Sequence, residues 1–117
     1  MKLNEVTYGA QPPVDGYAEG VFRVAGELHR GALVISETGV AAWGGYDDAR
    51  ALVALAGSVD IMILGTGAEI AQPPKAFRQE VEAAGLALEL MGSPAACRTY
   101  NVLLAENRRV ALAVLPV

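Results

Sequence analysis

Cysteine and histidine are nearly absent from this 117-residue sequence, which contains one of each, Cys97 and His29. A single cysteine cannot form an internal disulfide, so nothing in the sequence indicates an oxidising compartment. No pair at metal-ligand spacing, such as C-x-x-C or H-x-x-x-H, is present. We therefore expect no metal site and no cofactor.

Clustered positive charge is also lacking. Nine Lys and Arg stand against thirteen Asp and Glu, which gives a net charge of −4, and no basic cluster exceeds the pair Arg108–Arg109. A nucleic-acid-binding face needs many cationic phosphate contacts, and a membrane surface site needs a polybasic segment. The sequence therefore predicts no nucleic-acid partner.

Long hydrophobic runs are missing as well. The longest, such as VALAVLPV at residues 110–117, are far too short to span a bilayer. The stretch Met1–Gln11 has no apolar segment of the kind found in signal peptides. We therefore expect a cytoplasmic protein without a transmembrane segment.

What is present suffices for a hydrophobic core, because 53% of the residues are hydrophobic. A chain of this length is typical of one domain, so we expect residues 1–117 to fold as a single unit. The first half predicts a β-meander of three strands, GVFRVAG, ELHRGALVIS and VAAW, with tight turns at Ala25–Glu27 and Glu37–Gly39.

The second half alternates helices with strands. DDARALVALAG predicts a short helix that begins at its acidic residues, and VDIMILG predicts a strand buried on both faces. PPKAFRQEVEAAG predicts a second helix with proline at its first position, and LALEL a strand. SPAACRTYNVLLAEN predicts a third helix with Ser93 as N-cap and Pro94 at the first position, followed by the strand RVALAVLPV. The predicted fold class is α/β, with helices on both faces of one sheet.

Two glycines flank Thr66 at the carboxyl end of the apolar strand, in the sequence Gly65–Thr66–Gly67. Glycines at this position allow a sharp turn, and ligands of open α/β sheets bind beyond the carboxyl ends of strands. The dinucleotide fingerprint is incomplete, because no third glycine follows at the required spacing. The turn is either a ligand cradle or a glycine turn without a ligand.

The stretch SPAACRTYN, Ser93–Asn101, predicts a second part of the same site. Arg98 lies close to the predicted helix N-terminus, where a cation is unfavourable unless an anion compensates it. Arg98 therefore pairs either with an internal carboxylate or with a small external anion, and Asn101 lies on the neighbouring flank. We expect a binding crevice formed by Gly65, Thr66, Gly67, Ser93, Arg98 and Asn101.

Cys97 shares its helix face with apolar residues, including Tyr100 and Leu104. A cysteine on such a face is more often a small core residue than a nucleophile. The paired Asp47 and Asp48 indicate a helix N-terminus rather than acid–base chemistry. The sequence thus predicts no catalytic residue.

The stretches ILGTG and AACRTYNVLLAENRRVALAVLP resemble a small family of domains of largely unknown function. That family includes mitochondrial respiratory complex I assembly factor 3 and the adipogenesis-associated domain protein, and it has free-standing bacterial and archaeal members. The resemblance implies a three-layer α/β domain with a mixed sheet, in which the final strand runs antiparallel to its neighbours. It implies no established enzymatic activity and, for the mitochondrial relative, a role in complex I assembly through protein contacts.

These observations together predict a non-catalytic binding or assembly module with protein partners and a relation to respiratory complex assembly. The alternative is a small enzyme that acts on an anionic substrate in the crevice between Gly65–Gly67 and Ser93–Asn101.

Overall fold

Two β-sheets and three helices make up the computed structural model, which describes residues 11–117. The strands are β1 (Val14–Ala18), β2 (Val21–Val24), β3 (Glu27–Arg30), β4 (Leu33–Ser36), β5 (Gly39–Ala42), β6 (Ile61–Gly65), β7 (Ala87–Met91) and β8 (Val110–Val114). The helices are α1 (Arg50–Val53), α2 (Lys75–Ala83) and α3 (Ser93–Ala105), and a 3₁₀ turn occupies Gly45–Asp47.

The larger sheet has the strand order β5-β4-β8-β6-β7. Its final strand, β8, pairs antiparallel with β4 and parallel with β6. The expected antiparallel direction of β8 is therefore confirmed relative to β4 but is wrong relative to β6. The parallel β6–β7 pair is connected through α2, as the length of that connection predicts.

Helices cover both faces of this sheet, which confirms the predicted three-layer arrangement. On one face, Leu52 of α1 and Phe77 and Val81 of α2 pack in a core cluster with Met62 and Leu64 of β6. On the other face, Tyr100 and other residues of α3 pack against Ile63 and the neighbouring strands. Both faces of β6 are thus buried, as its uninterrupted apolar sequence predicts.

The smaller sheet is an antiparallel meander of β1, β2 and β3. The predicted turn between the first strands is present, because Ala25 and Gly26 have φ of +53° and +80°. The prediction that ELHRGALVIS is one strand is wrong. Gly31 adopts a φ of +80° and redirects the chain, so that β3 stays in the meander while the fully buried β4 enters the larger sheet. The strand β1 was not predicted.

Two helix starts also differ from the predictions. The first helix does not begin at its acidic residues, because Asp47 lies in the 3₁₀ turn and the α-helix covers only Arg50–Val53. The carbonyl oxygen of Asp48 instead accepts a hydrogen bond from Trp43 Nε1 at 2.9 Å. In the second helix, Pro74 is the N-cap, and Lys75 takes the first position.

Candidate functional site

The end of β6 meets the start of α3 at Gly65, where the fold leaves no room for a side chain. A Cβ at Gly65 would lie 2.6 Å from Val114 Cγ2 and 2.8 Å from Ser93 Oγ. The carbonyl oxygen of Gly65 accepts a hydrogen bond from Leu115 N at 2.9 Å. Glycine at this position therefore permits a close approach of β6, β8 and α3.

Ser93 joins three segments at this point. Its hydroxyl donates to the carbonyl oxygen of Leu115 at 2.6 Å and accepts from Gly67 N at 2.9 Å. Its own backbone N–H donates to the carbonyl oxygen of Gly67 at 2.7 Å. The side chain is fully buried. Ser93 thus holds the Gly65–Gly67 turn, the first turn of α3 and the chain after β8 together.

The prediction that Ser93 is an N-cap is wrong. Gly92 takes the N-cap position, so Ser93 and Pro94 are the first two residues of α3, and no side chain among residues 11–117 caps the helix. An N-cap serine accepts from an amide of its own helix. Here, the hydroxyl accepts instead from the amide of Gly67 in the β6–α2 connection, 26 residues earlier in the chain.

Thr66 organises the loop that follows β6. Its hydroxyl oxygen lies 2.8 Å from the carbonyl oxygen of Glu69 and 3.2 Å from that of Met91, and it accepts from Ala71 N at 3.0 Å. The backbone N–H of Thr66 donates to the carbonyl oxygen of Met91 at 2.8 Å. These bonds fold the loop back on itself, which leaves Ile70 65% exposed at its surface.

The chain's own C-terminal segment, Leu115–Val117, crosses the predicted crevice. Leu115 bonds to both Gly65 and Ser93, and the carbonyl oxygen of Val117 accepts from Gly20 N at 3.0 Å. The amide of Gly67 and the hydroxyl of Ser93, two of the groups that the sequence predicted for a ligand, are therefore bonded inside the chain. Binding of an external anion at these residues stays a prediction.

Arg98 lies away from the Gly65–Gly67 turn. It is five residues after Ser93, which corresponds to a rotation of about 140° around the helix axis. Ser93 faces the turn, so Arg98 projects to another side of α3, where it is exposed. Within residues 11–117, its guanidinium forms no salt bridge. The structure thus brings Gly65, Thr66, Gly67 and Ser93 together, but not Arg98.

Asn101 has a partner at a different part of the fold. Its side-chain oxygen accepts from Val14 N at 2.8 Å, and its side-chain nitrogen donates to the carbonyl oxygen of Val14 at 2.9 Å. The neighbouring Tyr100 donates its buried hydroxyl to the carbonyl oxygen of Pro12 at 2.8 Å. These bonds attach the start of the meander to α3. A cavity of about 350 Å³ lies beside Asn101 rather than at the crevice.

Cys97 is buried, with 3% of its surface exposed, among the residues that pack α3 on the larger sheet. Burial raises the pKa of its thiol to about 11, and the adjacent Arg98 opposes this shift only in part. The burial confirms the predicted core position. The raised pKa keeps the thiol protonated at neutral pH.

Two exposed features escaped the sequence-based predictions. Leu28 and Tyr17 on the meander are 62% and 44% exposed. The strand β5 is an edge of the larger sheet, and its Ala41 and Ala42 are exposed. The alternation of β2 separates Arg23 from the buried Phe22 and Val24, but the exposure of Leu28 depends on its pairing with Arg23.

The chain belongs to the family described as "Protein of unknown function (DUF498/DUF598)", whose profile matches residues 14–115. An uncharacterized protein of Rhodobacter capsulatus is 47% identical over 116 residues, which cover 99% of this chain and 94% of that protein. NADH dehydrogenase (ubiquinone) 1 alpha subcomplex assembly factor 3 of Danio rerio is 34% identical over 58 residues, which cover 50% of this chain and 33% of the relative.

The fold has a solved counterpart in a crystal structure described as an outer membrane protein from Bartonella henselae. The two chains share 30% identity and superpose with a TM-score of 0.84, covering 92% of this chain and 97% of the other. The family predicted from the ILGTG and AACRTYN stretches is thereby confirmed. Across residues 11–117, every helix is too short or too polar to cross a lipid bilayer.

Proposed function

We propose that this chain is a non-catalytic assembly-type module that binds a protein partner through the outer face of its meander. The single observation that carries the proposal is the exposure of Leu28 within a shallow depression of about 220 Å³. The depression combines apolar, aromatic and guanidinium groups, and its lining residues are Gly16, Tyr17, Ala18, Val21, Arg23 and Leu28.

This combination of side chains suits protein recognition. Aromatic and arginine side chains are enriched among residues that dominate binding energy, and such residues act best inside an apolar surround. Arg23 lies directly across from Leu28 in the β2–β3 pair, so the two side chains share one face of the sheet. A partner that covers Leu28 would also contact the Arg23 guanidinium.

The name of the Danio rerio relative supports the assembly part of the proposal, and the link to respiratory complex assembly rests on it. The similarity to that relative covers half of this chain, so the identity of the assembled complex needs its own test. The proposal includes the cytoplasmic location predicted from the sequence. Recovery with the outer membrane, as the name of the Bartonella henselae protein describes, would contradict that location.

The test uses a bacterium that carries respiratory complex I and a relative of this chain. The relative is deleted and replaced by the wild-type chain, by Leu28→Asp, or by the matched control Val102→Asp, whose original side chain is 55% exposed on α3. Assembled complex I is measured in membranes by native electrophoresis and NADH oxidation. We expect the wild type and the control to restore assembly and Leu28→Asp to fail.

A photo-crosslinking amino acid at position 28 or 102 identifies the contact directly. We expect a protein adduct from position 28 and none from position 102. Full restoration by Leu28→Asp would refute the meander face as the binding surface. Normal complex I after deletion, together with an adduct from position 28, would refute the respiratory link and leave a different partner.

A further inference from the structure

The edge strand β5 presents hydrogen-bonding groups without partners in the described part of the chain. In the antiparallel β4–β5 ladder, Trp43 N donates to the carbonyl oxygen of Ala32, so Ala32–Trp43 is a hydrogen-bonded pair. Hydrogen-bonded and non-hydrogen-bonded pairs alternate along such a ladder. Val34–Ala41 is thus a hydrogen-bonded pair, whereas the N–H and C=O groups of Val40 and Ala42 point away from β4.

No strand within residues 11–117 pairs with that side of β5. Natural edge strands are commonly protected by lysine, proline or an inward-pointing charge. The β5 sequence, GVAA, has none of these. The opposite edge strand, β7, differs because it carries the exposed carboxylate of Glu89. The β5 edge is therefore open to the backbone of another extended segment.

A groove of about 230 Å³ accompanies this edge on the α1 face of the sheet. Ala51, Ala54 and Leu55 form its wall on the α1 side. On the β5 side, Gly39 has no side chain and Ala41 has only a methyl group, so the groove stays open there. None of the described residues that line it is charged; they are Val34, Ser36, Thr38, Gly39, Val40, Ala41, Ala42, Ala51, Ala54 and Leu55.

We propose that β5 and this groove bind an uncharged, extended protein segment that adds as a strand to the sheet and carries aliphatic side chains at alternate positions. The residues opposite Gly39 and Ala41 in such a strand would be two apart, and their side chains would project from the same face. The residues opposite Val40 and Ala42 in such a strand would exchange backbone hydrogen bonds with them. Backbone pairing supplies affinity in this mode of recognition, and the pockets supply selectivity.

The shape of the groove favours a different chain over a second copy of this one. Two β5 strands could pair antiparallel about Ala41, with Val40 opposite Ala42 of the other copy. Each copy would then place Ala41 opposite Ala41 and Trp43 opposite Gly39. Because the Trp43 side chain is buried in its own core, much of the groove would stay empty. Larger aliphatic side chains would fill it, and filled apolar space is favoured because unfilled space forfeits dispersion contacts.

Capped peptides of alternating threonine and a guest residue, with a lysine at each end for solubility, test the proposal. The guests are alanine, valine and leucine, and binding is measured by fluorescence anisotropy. We expect leucine or valine to bind at least tenfold more tightly than alanine because each guest buries additional carbon atoms. N-methylation of the central threonine should abolish binding, and bound peptide should slow hydrogen exchange of the Val40 and Ala42 amides.

Two variants of the chain locate the site. Ala42→Pro removes an N–H that does not bond to β4, and Ala54→Glu places a charge in the groove at the exposed C-cap of α1. Each should weaken the best peptide at least tenfold, whereas the control Ala105→Glu, at an exposed position of α3, should leave its affinity unchanged. Circular dichroism verifies the fold of each variant.

Equal affinities for all three guests, or unprotected Val40 and Ala42 amides in the presence of every peptide, would overturn the proposal. So would a dimer in sedimentation velocity that Ala42→Pro dissociates, because the occupant would then be a second copy. These outcomes do not depend on Leu28, so the meander proposal stands or fails separately.

Discussion

Replacing Ser93 with alanine should reveal how much stability the junction of β6, α3 and the C-terminal segment contributes. The change removes one hydroxyl that donates to Leu115 and accepts from Gly67. The side chain is fully buried, so the substitution leaves both backbone groups without their partner. The effect should therefore exceed that of an ordinary exposed serine.

The magnitude follows from the two groups involved. A polar group that loses its partner on burial costs about 1–3 kcal/mol. Gly67 and Leu115 are only half-buried, so water can reach part of each, and the lower half of that range applies. We expect Ser93→Ala to reduce the free energy of unfolding by about 2–4 kcal/mol, which for a chain of this length lowers Tm by roughly 8–16 °C.

Urea unfolding followed by circular dichroism measures the change, with thermal unfolding as a second readout. The control is Ser58→Ala, because the Ser58 hydroxyl makes no hydrogen bond within residues 11–117, and it should shift stability by less than about 0.5 kcal/mol. Removing residues 115–117 deletes the acceptor of Ser93, so the two changes together should cost less than their sum. Strict additivity, or a loss below about 0.5 kcal/mol for Ser93→Ala, would refute the assigned role.

Three further variants test neighbouring parts of the structure. Gly65→Ala forces a Cβ to 2.6 Å from Val114 Cγ2 and should cost about 1–3 kcal/mol, whereas the open Gly16→Ala should be neutral in the same unfolding assay. Asn101→Ala loses both hydrogen bonds to Val14 and should lower the free energy of unfolding by about 1–3 kcal/mol. The Val14 amide should also exchange its hydrogen faster, and unchanged exchange would contradict the assignment. Cys97 should react with iodoacetamide at pH 8 at least a hundredfold more slowly in the native than in the denatured protein. Because folding raises the pKa of this thiol to about 11, the unfolded chain loses that proton first, so stability should fall between about pH 9 and 11. Cys97→Ala should lack that part of the decline, and identical pH profiles would contradict it.

Local patterns in the sequence predicted much of the second half of the fold. The apolar run of β6 and the proline and glycine that bound α2 depend on burial and on backbone conformation close to each residue. Such features can be predicted without knowledge of tertiary contacts. The break at Gly31 could not be predicted in this way, because the segments on either side both have strand-like sequences and differ in the sheet that they join. The direction of β8 likewise depends on two neighbours that are distant in sequence.

The candidate crevice shows the same limit at the level of single side chains. Gly65, Thr66, Gly67 and Ser93 were correctly expected to lie near one another, because the carboxyl end of β6 and the start of α3 meet at one edge of the sheet. Their partners could not be inferred, because Leu115–Val117 returns to that edge only through the position of β8 between β4 and β6. Once that segment is placed, the amide of Gly67 and the hydroxyl of Ser93 are bonded internally, and the positive charge of Arg98 lies on another side of α3. Within residues 11–117, Leu28 on the meander and the outer backbone groups of β5 do have unused binding capacity, and a strand pattern alone does not distinguish an edge from the interior of a sheet.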